Sequence, residues 1–304
     1  MEKVYTRGIN MPCVIDWRDV NVPAPIPVRE RRTTGIFTAR LVVPNRPAKM
    51  LMTRSHETVT QSQFGPRAAL YVTSALHASG PDLDALEAIA AETRPARAVD
   101  LGCGGGHVAY RLAPHAGEVV ACDLSADMLA EVAKTASERG FTNIRTREAA
   151  AEQLPFDDAS FDLVATRFSA HHWRTLDPGI AEAHRVARPG ATAIFIDSVS
   201  PGRALHDTHL QAVELLRDTS HVRDYTVAEW IAAVERAGFT VQRVRRHRIR
   251  IDFGTWIERM RTPAPLVAAI HALQAAASDE VRAYFAVEPD GSFLLDVMML
   301  EATA

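Results

Sequence analysis

The sequence predicts a doubly wound α/β fold: a seven-stranded, mostly parallel sheet with helices on both faces and an antiparallel last strand. Three observations predict it. Short apolar runs alternate with helix-period segments between residues 98 and 199, as in a parallel sheet whose crossovers are helices. The first run ends in a glycine-rich turn, Gly102-Cys103-Gly104-Gly105-Gly106, at the strand end where such sheets bind ligands. Two long strand-like runs, 241–251 and 293–301, close the chain.

Residues 1–50 carry Pro12, Pro23, Pro25, Pro27, Pro44 and Pro47 and the run Arg29-Glu30-Arg31-Arg32. No helical period persists there, so they read as a poorly ordered extension. A start placed too early gives the same picture, with Met50 or Met52 opening the chain. The domain proper is 51–304. Phe64, Ala68, Tyr71, Val72 and Ala75 recur at helical spacing, and Gly80-Pro81 breaks that helix. Leu83, Leu86, Ile89 and Ala90 form a second stripe, closed by Pro95.

The first strand covers 98–101, and a helix follows through Val108 and Leu112. The second strand covers 118–122. Ser125 caps a helix with the face Met128, Leu129, Val132 and Ala136, and Gly140 stops it. Ile144 marks the third strand and 161–166 the fourth. Asp177-Pro178 reads as a cap with proline at the first helical position, in a helix ending at Arg188-Pro189-Gly190. The fifth strand covers 191–199. Thr226 and Glu229 make a capping box for a helix ending at Gly238. Before the last strand stands the turn Pro289-Asp290-Gly291-Ser292. Helical segments near 203–225 and 253–288 are placed to cover a substrate.

The 304 residues carry a formal net charge of -3, which gives no reason to expect nucleic acid as a partner. Arg243, Arg245, Arg246, Arg248 and Arg250 alternate between two faces of a strand, so they read as solvated surface. Cys13, Cys103 and Cys122 form neither a disulfide framework nor a zinc motif. His206, His209 and His221 match no metal spacing, so no metal is expected. No apolar run approaches the ~20 residues of a membrane span. The N-terminus lacks the order of a signal peptide, which leaves the cytoplasm as the expected compartment.

The glycine turn separates two chemistries. A dinucleotide fold wants Gly-x-Gly-x-x-Gly, but the third position is His107. Gly102, Gly104 and Gly106 fit Gly-x-Gly-x-Gly instead, with Asp100 two places before. The second strand ends in Asp123, whose carboxylate can accept from both hydroxyls of a ribose. Leu124 offers an apolar surface to a purine.

On these residues, with Leu154-Pro155-Phe156, Phe161-Asp162 and Arg188-Pro189-Gly190 in the same order, the chain from about Phe64 onward resembles the class I methyltransferases dependent on S-adenosylmethionine (SAM). Within them it is similar to the type 11 group related to ubiquinone and menaquinone biosynthesis. The resemblance implies that the methionine part of SAM lies on Asp100, Gly102, Cys103, Gly104 and Gly106. It implies that Asp123 holds the ribose and that the segment before Leu154 flanks the adenine. Many relatives carry an acid four residues before that leucine; here it is Ala150. The adenine amine is then left to Glu152, to backbone or to water, while Ala151 offers its N–H to the ring. The helix bearing Gln63, Phe64 and Tyr71 resembles a lid over SAM, with Tyr71 a cofactor contact or a core residue.

The fourth strand runs into Arg167-Phe168-Ser169-Ala170-His171-His172-Trp173, a loop expected to face the transferred methyl. A buried Arg167 needs a paired charge; it suits an anionic substrate or the SAM carboxylate. His171 and His172 are the candidate bases, or they cap structure. The reading is a SAM-dependent methyltransferase, monomer or homodimer, acting on a small molecule by in-line displacement. A nicotinamide-dependent oxidoreductase and a SAM-binding regulator without turnover are the alternatives.

Overall fold

The structure is a computed structural model and describes residues 54–64 and 78–304. The expected N-terminal extension and the expected contact of Tyr71 lie outside the described residues. Helix α1 is His56–Phe64, and Gly80 then caps α2, Pro81–Thr93. The alternation follows as β1 Arg97–Leu101, α3 His107–Leu112, β2 Glu118–Asp123, α4 Ala126–Glu138, β3 Ile144–Glu148 and β4 Phe161–Arg167. After a 3-10 turn at Ala170–His172 come α5 Leu176–Val186, β5 Ala187–Ser198, α6 Ala204–Arg217, α7 Val227–Arg236 and β6 Thr240–Ile251. Three helices, α8 Phe253–Met260, α9 Ala264–Ala276 and α10 Asp279–Phe285, precede β7 Phe293–Thr303.

The seven strands form one sheet in the order β3-β2-β1-β4-β5-β7-β6. β3, β2, β1, β4 and β5 are parallel, and β7 enters antiparallel between β5 and β6. Successive strand residues point to opposite faces, and both faces are buried. Val99, Val120, Val164 and Phe195 pack with Ile180 of α5 and Trp230 of α7. Ala98, Val119, Leu163 and Ile194 pack on the other face with Leu86 of α2 and Leu129 of α4. A third cluster, built on Leu210, Trp256, Ile270, Phe285 and Phe293, joins α6 and α8–α10 to the far ends of β6 and β7. Among the described residues no helix is long and apolar enough to cross a membrane.

Several caps form as the sequence suggests. Ser125 accepts from the Met128 N–H at 3.3 Å, and Thr226 and Glu229 close a reciprocal box. Each such cap stabilises its helix by about 1 kcal/mol. Two boundaries differ. α5 starts at Leu176 without a side-chain cap, so Pro178 is third in the helix, where its missing N–H costs nothing because the first turn has no acceptor for it. Asp177 instead pairs with Arg236 at 2.7 Å. Arg188-Pro189-Gly190 does not end that helix: it forms an irregular start to β5, where the register against β4 shifts and the Gly190 N–H reaches the Ala304 carbonyl at 2.7 Å. The β6 arginines meet acids: Arg245 pairs with Glu301 at 3.0 Å, Arg248 with Asp296 at 3.3 Å and Arg250 with Glu288 at 2.5 Å.

Candidate active site

β1 lies between β2 and β4, where the direction of winding reverses, and a crevice at this switch point is what the topology dictates. A cleft opens there. Asp100, Gly102, Cys103, Gly104, Asp123 and Leu124 line it from β1 and β2, and Ala151, Glu152, Arg167 and His172 from the following loops. Gly106 and His171 do not reach it.

The glycine turn is held from two sides. The Gly104 N–H donates to Asp123 Oδ2 at 2.9 Å, and the Ser125 N–H donates to Asp123 Oδ1 at 2.9 Å. Each carboxylate oxygen has a second lone pair, so two acceptor positions stay available to a ligand. Burial pushes the Asp123 carboxyl up, against the pull of those N–H groups. Gly102 has φ +65°, and a Cβ there would run into the Ser169 hydroxyl; at Gly106, φ +79°, it would meet the Tyr110 ring. A side chain at either position would meet a neighbour, whereas a Cβ at Gly104 would face open space.

Asp100 is 1% exposed. Its Oδ2 accepts from the Ala109 N–H at 3.2 Å, while Oδ1 has no hydrogen-bond partner. Burial lifts its pKa to about 8. A buried carboxyl oxygen without a donor is costly, and this one borders the cleft. Arg167 has the paired charge its burial demands: its Nε donates to Asp82 Oδ2 of α2 at 2.5 Å.

The two histidines have opposite states. His171 Nδ1 meets Asp197 Oδ1 at 2.6 Å. Burial opposes its charge, but Asp197, with Asp224 and Glu214 beyond, lifts it to about 9. At neutral pH it is an imidazolium, which has no lone pair with which to take a proton. His172 is held down at about 4 by burial and by the charge of His171, against Asp218. Its Nδ1 lies 3.1 Å from the Ser220 carbonyl, which only accepts, so Nδ1 carries the hydrogen and Nε2 the lone pair.

Helix α1 lies over the cleft. Gln61 Nε2 donates to the Leu124 carbonyl at 2.9 Å, Gln63 Nε2 to Thr219 Oγ1 at 2.7 Å, and Glu57 pairs with Arg174 at 2.7 Å. His56 Nε2 reaches the His172 carbonyl at 2.8 Å. Phe64 packs edge-on against His172, with ring centroids 4.9 Å apart. Sequence reasoning missed His56, Gln61 and Met128 in the lining, and it missed Asp82 and Asp197 as partners. Strand ends could have pointed to Asp197, which occupies on β5 the kind of position Asp123 has on β2. Nothing local pointed to His56 or Asp82.

The other matching motifs hold the frame. Arg185 reaches the carbonyls of Leu154 at 2.9 Å and Phe156 at 2.7 Å. Asp162 binds Arg188 at 2.5 Å and the Arg97 N–H at 2.8 Å.

Against known proteins, the methyltransferase domain family matches residues 99–195. The uncharacterized protein YafE of Escherichia coli (strain K12) is 44% identical over 197 residues, 65% of this chain and 95% of that protein. The uncharacterized methyltransferase YcgJ of Bacillus subtilis (strain 168) is 30% identical over 227 residues, 75% of this chain and 90% of that protein. The chain belongs to the SAM-dependent methyltransferase family. The YcgJ crystal structure superposes on this methyltransferase with a TM-score of 0.70 at 29% identity, covering 73% of this chain and 97% of that one. A demethylmenaquinone methyltransferase of Chlorobaculum tepidum is similar over a shorter stretch, 35% identical over 113 residues, 37% of this chain and 45% of that enzyme. Family membership decides against the oxidoreductase alternative, in agreement with His107 in place of a third glycine.

Proposed function

We propose that the cleft binds SAM and that this methyltransferase passes its methyl group to a small-molecule acceptor. The observation that carries the reading is the pair of carboxyls at the ends of β1 and β2, one with a buried oxygen lacking a donor and one with spare lone pairs. Asp100 Oδ1 suits the α-ammonium of SAM, which would supply the missing donor and a charge to match. The spare positions on Asp123 suit the two ribose hydroxyls. Leu124 and Met128 present apolar surface for the adenine, beside the Ala151 backbone. Glu152 is engaged elsewhere: its Oε1 accepts from the Arg174 N–H at 2.9 Å.

SAM supplies a methyl group on a sulfonium, open to in-line displacement by a nucleophile. The protein's share is alignment and exclusion of water, and α1 supplies the cover. Arg167, neutralised by Asp82, shapes the wall near Asp100 rather than acting as a free anion receptor. His172 stands in the wall as a neutral imidazole.

Thermal unfolding with SAM, S-adenosylhomocysteine and NAD tests the reading. A ligand at a hundred times its Kd adds about 2.7 kcal/mol. Stabilisation by both SAM and S-adenosylhomocysteine is expected; stabilisation by NAD alone sinks the proposal.

A further inference from the structure

A second cavity lies beside His172 and shares Phe64, Phe168 and His172 with the cleft. One part of its wall is apolar: Ile249, Ile251, Trp256 and Leu295. The other part is ionic, with His171, Glu214, Arg217 and Arg259. Glu214, on α6, is 8% exposed. No hydrogen bond or ion pair among the described residues engages its carboxylate, although buried acids are nearly always paired. Burial and the neighbouring Asp224 carboxylate push its pKa up to about 7, where a base is both charged and effective at neutral pH.

His171 faces the same space as an imidazolium whose Nδ1 is committed to Asp197. That leaves its Nε2–H as the donor it can offer. Arg217 and Arg259 stand in the same wall. A proton acceptor and a fixed cation beside the apolar wall of one small cavity are the two poles that a weakly acidic O–H requires.

We propose that this cavity is the methyl-acceptor subsite, that it takes an apolar molecule bearing a weakly acidic hydroxyl, and that Glu214 receives the hydroxyl proton while His171 holds the oxyanion. This rests on the reading of the adjoining cleft as the SAM site. The O–H bond breaks, its proton passes to a Glu214 oxygen, and the electron pair stays on the acceptor oxygen. That oxygen bonds to the methyl carbon as the carbon–sulfur bond breaks, its pair going to sulfur. The products are the methyl ether, S-adenosylhomocysteine and a protonated Glu214, which returns its proton to solvent. The first transfer keeps the cavity's net charge constant, so no ion has to be stripped of water to start the reaction.

The test uses the full chain saturated with S-adenosylhomocysteine and 4-nitrophenol as the probe, at pH 8, where the probe is largely phenolate. Binding is measured by calorimetry in two buffers of different ionisation heat, which counts protons. The wild type is expected to bind the phenolate and take up about one proton. Glu214→Gln should bind S-adenosylhomocysteine as before and take up none. His171→Gln should lose roughly tenfold or more in phenolate affinity, the scale of a charge-assisted bond. The uncharged 4-nitroanisole should bind the wild type more weakly than the phenolate, which decides the oxyanion role even if His171→Gln fails to fold. Failure of S-adenosylhomocysteine to bind the wild type removes the cofactor reading. Normal S-adenosylhomocysteine binding with no phenolate binding, with no proton uptake, or with equal uptake in Glu214→Gln overturns the present proposal alone.

Discussion

Replacing Asp100 by Asn should stabilise the cofactor-free protein and weaken its hold on SAM. Asp100 has a folded pKa of about 8 against an ordinary value of 3.8, with burial the main cause. The native state therefore binds a proton that the unfolded state has released, and stability falls as the pH rises from about 4 to about 8. At pH 7 the gap is roughly three units, which at 1.36 kcal/mol per unit sets a cost of at most about 4 kcal/mol. Asn keeps the oxygen that accepts from the Ala109 N–H and never ionises. A gain of about 2–4 kcal/mol is expected at pH 7, or roughly 4–16 °C in Tm for a domain of this size, shrinking to nothing near pH 4. Thermal unfolding of both proteins across that range is the assay. A cationic ligand pairing with Asp100 should also expel about one proton from the wild type at pH 7 and none from the variant, by calorimetry in paired buffers. Parallel stability-against-pH curves for the two proteins would refute the reasoning, because the slope difference is the whole effect.

Asp123→Ala should weaken SAM by about 1.5–3 kcal/mol, the worth of hydrogen bonds to a charged group; unchanged affinity in a calorimetric titration removes the ribose role. The ring nitrogens of His171 should titrate near pH 9 and those of His172 near pH 4 by NMR. Because His171 has a raised pKa, its stabilising share is complete below about pH 6.5 and is lost as the pH passes 9, so Asp197→Asn should cost stability at pH 6 and little at pH 10 in thermal unfolding. Gln61→Ala removes the bond from α1 to Leu124 and should speed cofactor release by roughly 2–10-fold, the equivalent of 0.5–1.5 kcal/mol; a stopped-flow rate equal to wild type would show that α1 does not gate the cleft.

The sheet was legible because its signals are local. Alternation of Val99 and Leu101 with Ala98, or of Phe161 and Leu163 with Asp162, needs only a period of two, and a glycine turn after a buried run is written within seven residues. The boundaries that shifted were set by distant partners: Arg236 lies 59 residues from Asp177, and the irregularity at Arg188-Pro189-Gly190 answers to the C-terminal residue Ala304. The states of the two histidines were not legible at all. They are neighbours in sequence with the same side chain, and the carboxylates that separate them come from elsewhere: Asp197 follows His171 by 26 positions, and Asp218 approaches His172 from beyond α6. Asp82, 85 residues before Arg167, shows the same limit. Charge type can be read from the chain, but which charges are neutralised is decided by the fold.

Helix α1, nine residues long, is tied to β2, to the loop after β4 and to the residues beyond α6. Its Phe64 belongs to the walls of both cavities. One short segment thus stands at the edge of both spaces, so a shift of α1 would reshape the two together.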